Sequence, residues 1–341
     1  PRWIARFSYN SIRMALKSHS IVNFQTQKGH HCNLVMTYQL FGEPLHTAPV
    51  VLVNHALTGN SSVTGKHGWW SALIGKDKAV DTDRFTILAI DIPGNGYGGS
   101  SKYIIENYKA FNNYDMARLQ YEVIKSLKIK QLFAVVGGSL GGQIAWELAV
   151  SQPQLVQHLI PIASDWKATD WVVAQCCIQE QILHNSLKPI HDARMHAMTF
   201  YRTPASFKAK FQRSKTTDGS LYSIESWLLH HGKRLEERFS IHSYRLMNHL
   251  LGSADITAGV SEVRTVFESL QCKVHLVSID SDGLFLADEI YDTYLKLQEA
   301  NIASTYHEIK SIHGHDAFLI EYEQLETIIK PIFSNILCQQ H

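Results

Sequence analysis

The chain has 341 residues, 45% of them hydrophobic and 18% charged. This is the composition of a globular protein with a sizeable core, in one large domain or two modest ones, and it excludes a disordered chain. Its 32 basic and 31 acidic side chains leave a formal charge of +1, so no electrostatic footprint for nucleic acid is present. No apolar run approaches the ~20 residues of a membrane span, and the 19 histidines are scattered with no metal-binding spacing. Cys32, Cys176, Cys177, Cys272 and Cys338 are odd in number and irregular in spacing, with one vicinal pair. Neither a disulfide framework nor a zinc site follows, and a reducing cytoplasm is the expected setting.

The opening "PRWIARFSYNSIRMALKSHS" is basic and partly amphipathic but has no compact apolar core or cleavage site, so it is not expected to be a signal peptide. "IVNFQTQKGHHCNLVMTYQLFG" predicts two strands around a Lys28-Gly29 turn. "PVVLVNHALTG", "RFTILAIDIPGNG" and "QLFAVVGGS" are apolar, β-branched runs that end in polar turns, the pattern of strands buried on both faces. Helical stretches such as "DMARLQYEVIKSLKI" and "GQIAWELAVSQ" separate and follow them. Further strand-like runs occur at "VQHLIPIAS", "CKVHLVSIDSD" and "ASTYHEIKSIHGHD", and "YEQLETIIKPIFSNIL" predicts a closing helix. Strand and helix alternating in this way imply an α/β fold with a mostly parallel sheet covered by helices. Between about Ser164 and Val263 no strand-like run occurs, and the text is helical. The expected organisation is therefore a core of residues 1–163 and 264–341 with a helical lid inserted at 164–263.

"GGSLG" fits G-x-S-x-G with Gly137, Ser139 and Gly141, and it lies between a strand and a helix. A turn this sharp strains the serine backbone, and glycines on either side remove the clashes that side chains would make. The helix N-terminus behind the serine directs N–H groups and a positive dipole at developing negative charge. A phosphate loop is the competing reading, but neither a GKS/T ending nor G-x-G-x-x-G is present.

A serine nucleophile needs a base, and the base needs an orienting carboxylate, in the chain order Ser, acid, His for this motif. "VHLVSIDSDGLF" offers Asp280 and Asp282 at the end of one strand, and "HEIKSIHGHDAFL" offers His313 and His315 after the next. Strand ends on the C-terminal edge are where such a sheet places its chemistry. The order fits, with two candidates on each element. The N–H of Leu140 is one expected oxyanion donor, and "NHALTGN" at residues 54–60 can supply the other.

"NHALTGNSS", "GWWSALIGKDKAVDTDRF", "VVGGSLGGQIAWELA", "SDGLF" and "GHDAFL", with the lid segments "FYRTPASFKAKFQR" and "ESWLLHHGKRLEERFSIHSY", resemble the homoserine O-acetyltransferases of the α/β-hydrolase superfamily. The resemblance runs from about Tyr38 to Leu319. It implies Ser139 as nucleophile, Asp282 as the acid, His315 as the base, and Leu57 and Leu140 as backbone oxyanion donors. It also implies that Arg194 binds the carboxylate of an amino-acid substrate, that Asp316 meets its amino group, and that Tyr201 is a third substrate-binding residue. A bidentate guanidinium fork for the carboxylate and an anion for the ammonium agree with those roles. Two departures from the family pattern bear on the acyl group and on the acceptor: the loop at residues 91–113 is shortened and begins "DIPG", and Lys210 stands where arginine is common.

The expected chemistry is ping-pong transfer from acyl-CoA, acetyl-CoA foremost, to L-homoserine, with no metal or bound cofactor, and the resemblance also implies a homodimer formed through the lid. The rivals are succinyl-CoA as donor, serine as acceptor, an esterase or thioesterase that uses water, and a catalytically inactive scaffold.

Overall fold

The structure, a computed structural model, describes residues 16–257 and 259–334. The basic opening segment up to residue 15 and Cys338 lie outside the described residues. Strands β1 (Lys17–Gln25) and β2 (His31–Gly42) form the expected hairpin, with Gly29 at φ 85° in its turn. They are followed by β3 (Val50–Asn54), the two-residue strands β4 (Ile74–Gly75) and β5 (Val80–Asp81), and β6 (Thr86–Ile90). The rest of the main sheet is β7 (Leu132–Gly138), β8 (Val156–Ile162), β9 (Lys273–Ile279) and β10 (Ser304–Ile309).

The eight-stranded sheet has the order β1-β2-β6-β3-β7-β8-β9-β10. β1–β2 and β2–β6 are antiparallel, and every later pairing is parallel. All five residues of β3 and of β6 are buried, as continuous β-branched runs require at the centre of a parallel sheet. Side-chain alternation divides the apolar residues between two cores. Val50 and Leu52 face one side with Met116, Ile144 and Trp146. Val51 and Val53 face the other with Trp70, Phe318 and Phe333.

Helices α1 (Asn113–Ser126) and α2 (Leu140–Ser151) provide the crossovers to either side of β7. Asn112 and Asp115 form a capping box at the start of α1. Between β8 and β9 the described residues contain no strand, only two isolated bridges. That stretch holds α3 (Asp170–Asn185), α4 (Pro189–Tyr201), α5 (Pro204–Phe211), α6 (Ser223–Glu236), α7 (Ile241–Gly252) and the short α8 (Val263–Phe267). The bridge Lys167↔Asp255 ties the chain just before α3 to the chain just after α7. Helix α9 (Ala287–Glu299), to which no motif pointed, links β9 to β10, because parallel neighbours need a crossover of this length. Helix α10 (Tyr322–Ser334) covers the opposite face. No described helix is long and apolar enough to cross a membrane.

Candidate active site

β7 ends at Gly138 and α2 begins at Leu140, so Ser139 alone makes the turn. Its backbone is at φ 54° and ψ −127°, outside the region that non-glycine residues readily adopt. The surrounding chain leaves room for nothing larger than glycine. A Cβ on Gly137 would come within 2.3 Å of the Gly141 backbone, and one on Gly141 within 2.5 Å of the Asn54 carbonyl oxygen. Closeness of β3 to the start of α2 is therefore the reason for the glycine spacing, and it brings the loop after β3 beside the serine.

Asp282 follows β9 and His315 follows β10, on the same C-terminal edge of the sheet. His315 Nδ1 lies 2.7 Å from Asp282 Oδ2, and His315 Nε2 lies 2.9 Å from Ser139 Oγ. The other carboxylate oxygen of Asp282 accepts from the Leu284 and Phe285 N–H groups at 2.7 and 3.0 Å. An ionised carboxylate only accepts, so Nδ1 carries the proton and Nε2 presents its lone pair to the serine hydroxyl. All three side chains are buried. The imidazole is confined by Tyr201, Phe285 and Phe318, with ring centroids 5.5, 5.7 and 5.5 Å away. Asp280 and His313 are engaged elsewhere: Asp280 accepts from the Ser311 N–H, and His313 faces Arg202 and Ser206.

Leu57 is buried in the loop after β3, and Leu140 is the first residue of α2. Neither N–H has an acceptor among the described residues; for Leu140 this is usual in the first turn of a helix. A polar network that no motif singled out holds the Leu57 loop in place. His55 Nε2 accepts from the Ile92 N–H at 2.9 Å, so Nδ1 carries the ring proton and donates to the Ala56 carbonyl at 2.7 Å. Asp91 accepts from the Thr37 hydroxyl, from the Ser61 N–H and hydroxyl, and from the Asn95 amide. Burial lowers the basicity of His55, in keeping with a neutral ring, and pushes the Asp91 carboxyl up against these hydrogen bonds. The sequence signal was available: "DIPGN" puts a carboxylate and an amide at the end of a buried strand, where neither can remain unpaired.

Arg194 and Tyr201 lie two turns apart on α4, and the guanidinium carbon sits 5.7 Å from the Tyr201 ring centre. Arg194 is half-buried and forms no ion pair among the described residues. Asp316 follows His315 directly. Burial raises its pKa, and Arg194, His315 and Arg202 oppose that rise. Burial likewise raises the Tyr201 phenol. Arg202, which sequence reasoning passed over, stands 3.9 Å from Asp316. Two guanidinium groups and one carboxylate thus surround the same corner of the site. On the other side of the Leu57 loop, Arg238 of the helical segment donates to the Thr58 carbonyl at 2.9 Å. Beside it opens a groove of about 680 Å³ lined by Asn60, Gly96, Ser100, Lys102 and Arg238. No cluster of three His, Cys, Asp or Glu side chains that could hold a metal is found among the described residues.

This geometry can support nucleophilic attack by the Ser139 hydroxyl on a carbonyl, with His315 Nε2 in reach of its proton and Asp282 on the other ring nitrogen. Comparison with known proteins agrees in kind. The family profile described as the alpha/beta hydrolase fold matches residues 49–292. The homoserine O-acetyltransferase of Nautilia profundicola is 30% identical over 335 residues, covering 86% of this chain and 91% of that protein. The crystal structure of homoserine O-acetyltransferase from Bacillus anthracis superposes with a TM-score of 0.82 at 20% identity, over 94% of this chain and 98% of the other. An acetylester hydrolase from Corynebacterium glutamicum superposes with a TM-score of 0.80 at 18% identity, over 96% and 98%. At such identities the two structural likenesses concern the fold alone.

Proposed function

The chain belongs to the homoserine O-acetyltransferase family of the α/β-hydrolase fold, and on that premise we propose that it transfers the acetyl group of acetyl-CoA to the side-chain hydroxyl of L-homoserine. The observation that carries this reading is the continuous relay from Asp282 through His315 to Ser139, at 2.7 and 2.9 Å. Ser139 Oγ attacks the thioester carbonyl as His315 Nε2 takes its proton. The N–H groups of Leu57 and Leu140 bind the oxyanion, and Asp282 stabilises the imidazolium. The C–S bond then breaks, the thiol leaves with the proton from His315, and Ser139 is left acetylated.

In the second half, homoserine binds with its carboxylate on Arg194 and its ammonium on Asp316, against Tyr201. His315 removes the proton of the hydroxyl, whose oxygen attacks the acyl-serine carbonyl, and the serine is regenerated with that proton. Residues 164–263 serve as a lid that keeps water from the acyl-enzyme until the amino acid arrives. A homodimer joined through this lid and a cytoplasmic setting belong to the same reading, and light scattering tests the first of them.

The deciding assay detects free thiol from the purified protein with acetyl-CoA or succinyl-CoA as donor, and with homoserine, serine or water as acceptor. Acetyl-CoA turnover that depends on homoserine and is lost in Ser139→Ala is expected. Thiol release indifferent to homoserine would mean hydrolysis instead, and undiminished turnover by Ser139→Ala would dismiss the nucleophile.

A further inference from the structure

Two histidines flank Gly314, and only His315 reaches the serine. We infer that the other, His313, is a positioning residue through which the helical segment holds the catalytic histidine in register. This rests on the proposed acyl-transfer reading of the same site.

The observations converge on a single joint. Between α4 and α5 the chain passes through Arg202 and Thr203, and there it meets the loop after β10. Arg202 Nη2 donates to His313 Nδ1 at 3.0 Å, and the Ser206 hydroxyl lies 3.0 Å from the same nitrogen. Arg202 also donates to Ser206 Oγ through Nε at 3.1 Å and through Nη2 at 2.7 Å. A guanidinium has only donors, so His313 Nδ1 must be the acceptor and carries no proton in this arrangement. The Thr203 hydroxyl donates to the Ile312 carbonyl, immediately before His313. Gly314 has φ 68°, and a Cβ there would lie 3.0 Å from the Tyr201 carbonyl oxygen. The Tyr201 ring, one residue before Arg202, rests on His315 itself.

The loop that carries the base is thus fastened on both sides of His315: at Ile312 and His313 before it, and at Asp316, 3.9 Å from Arg202, after it. Catalytic proton transfer demands hydrogen-bond geometry, and small misplacements are costly. His313 touches neither Ser139 nor the reacting atoms; it acts through the placement of His315. His313 does not line the groove beside Arg238.

The test compares His313→Leu, which removes the acceptor, with His313→Asn, whose amide oxygen can stand where Nδ1 stands. Steady-state kinetics with acetyl-CoA and homoserine are measured beside melting temperatures, with Ser139→Ala in parallel. Expected for His313→Leu is a fall in kcat of about tenfold or more with KM for acetyl-CoA within about twofold and an unchanged melting temperature. His313→Asn should recover most of the loss. Wild-type kcat in His313→Leu overturns the inference, and so does a loss that His313→Asn fails to recover. So does a loss that follows melting temperature across the two variants. If Ser139→Ala is inactive and His313→Leu unaffected, only the positioning role fails; if Ser139→Ala is active, the underlying reading fails first.

Discussion

His315 Nε2 lies 2.9 Å from Ser139 Oγ across 176 residues of chain. Two independent parts of the fold set that distance. The strained turn between β7 and α2 aims the hydroxyl, and the loop after β10 aims the imidazole, with Asp282 fixing which of its nitrogens is bare.

Asp282→Asn tests the tautomer argument. The amide keeps an oxygen for the Leu284 and Phe285 N–H groups but turns a donor toward His315 Nδ1. The ring then moves its proton to Nε2, where it can no longer accept from Ser139. Activity should fall roughly 10³–10⁴-fold while the urea unfolding curve stays close to wild type. A variant with more than a tenth of wild-type kcat would remove Asp282 from its assigned role.

Arg194→Lys tests amino-acid recognition. Lysine keeps the charge but loses the planar fork and its contact with the Tyr201 ring. KM for homoserine should rise about tenfold or more, while the rate of acyl-enzyme formation from acetyl-CoA, followed in a single turnover without acceptor, should be nearly unchanged. Equal losses in both half-reactions would place Arg194 elsewhere.

Gly141→Ala tests the reason for the glycine spacing. The added methyl meets the Asn54 and His55 carbonyl oxygens at 2.5 and 2.7 Å, and both are backbone atoms. Stability should drop by about 3 kcal/mol or more in chemical denaturation, and the Leu57 loop should shift. Full stability together with full activity would show that this packing has more freedom than the distances imply.

Glu147→Gln concerns stability alone. Glu147 is buried on α2 with its pKa pushed up to about 8, first by desolvation and then by Asp255 and Asp115. From the ordinary value of 4.5 up to about 8 the folded protein keeps a proton that the unfolded chain releases. The unfolded state binds fewer protons there, so this group makes stability fall as pH rises through that window. The glutamine variant lacks this contribution. The stability difference between variant and wild type, measured by denaturant titration at pH 5, 6, 7 and 8, should shift steadily in favour of the variant. A difference that does not vary with pH would contradict the assignment.

Much of this protein is legible in local sequence. Buried runs such as "VVLVN" and "TILAI" specify central parallel strands, because only a sheet covered on both faces hides them. "GGSLGG" specifies the elbow, because no other residue fits so close to a neighbouring strand. The order of serine, acid and histidine specifies the strand ends on which the chemistry sits.

Tertiary structure decided the rest. By residue type alone Asp280 and Asp282 were equivalent, as were His313 and His315. Packing of the loops gives His315 to Ser139 and Asp282 to His315, the other aspartate to the Ser311 N–H and the other histidine to Arg202. The Ile92–His55 bond beneath the Leu57 loop and the Arg202–His313 bond join residues 37 and 111 positions apart. A hydrogen bond is made or lost over a few tenths of an ångström. Composition and periodicity determine which faces are buried; only the packing of the whole chain determines which polar atoms come within that reach.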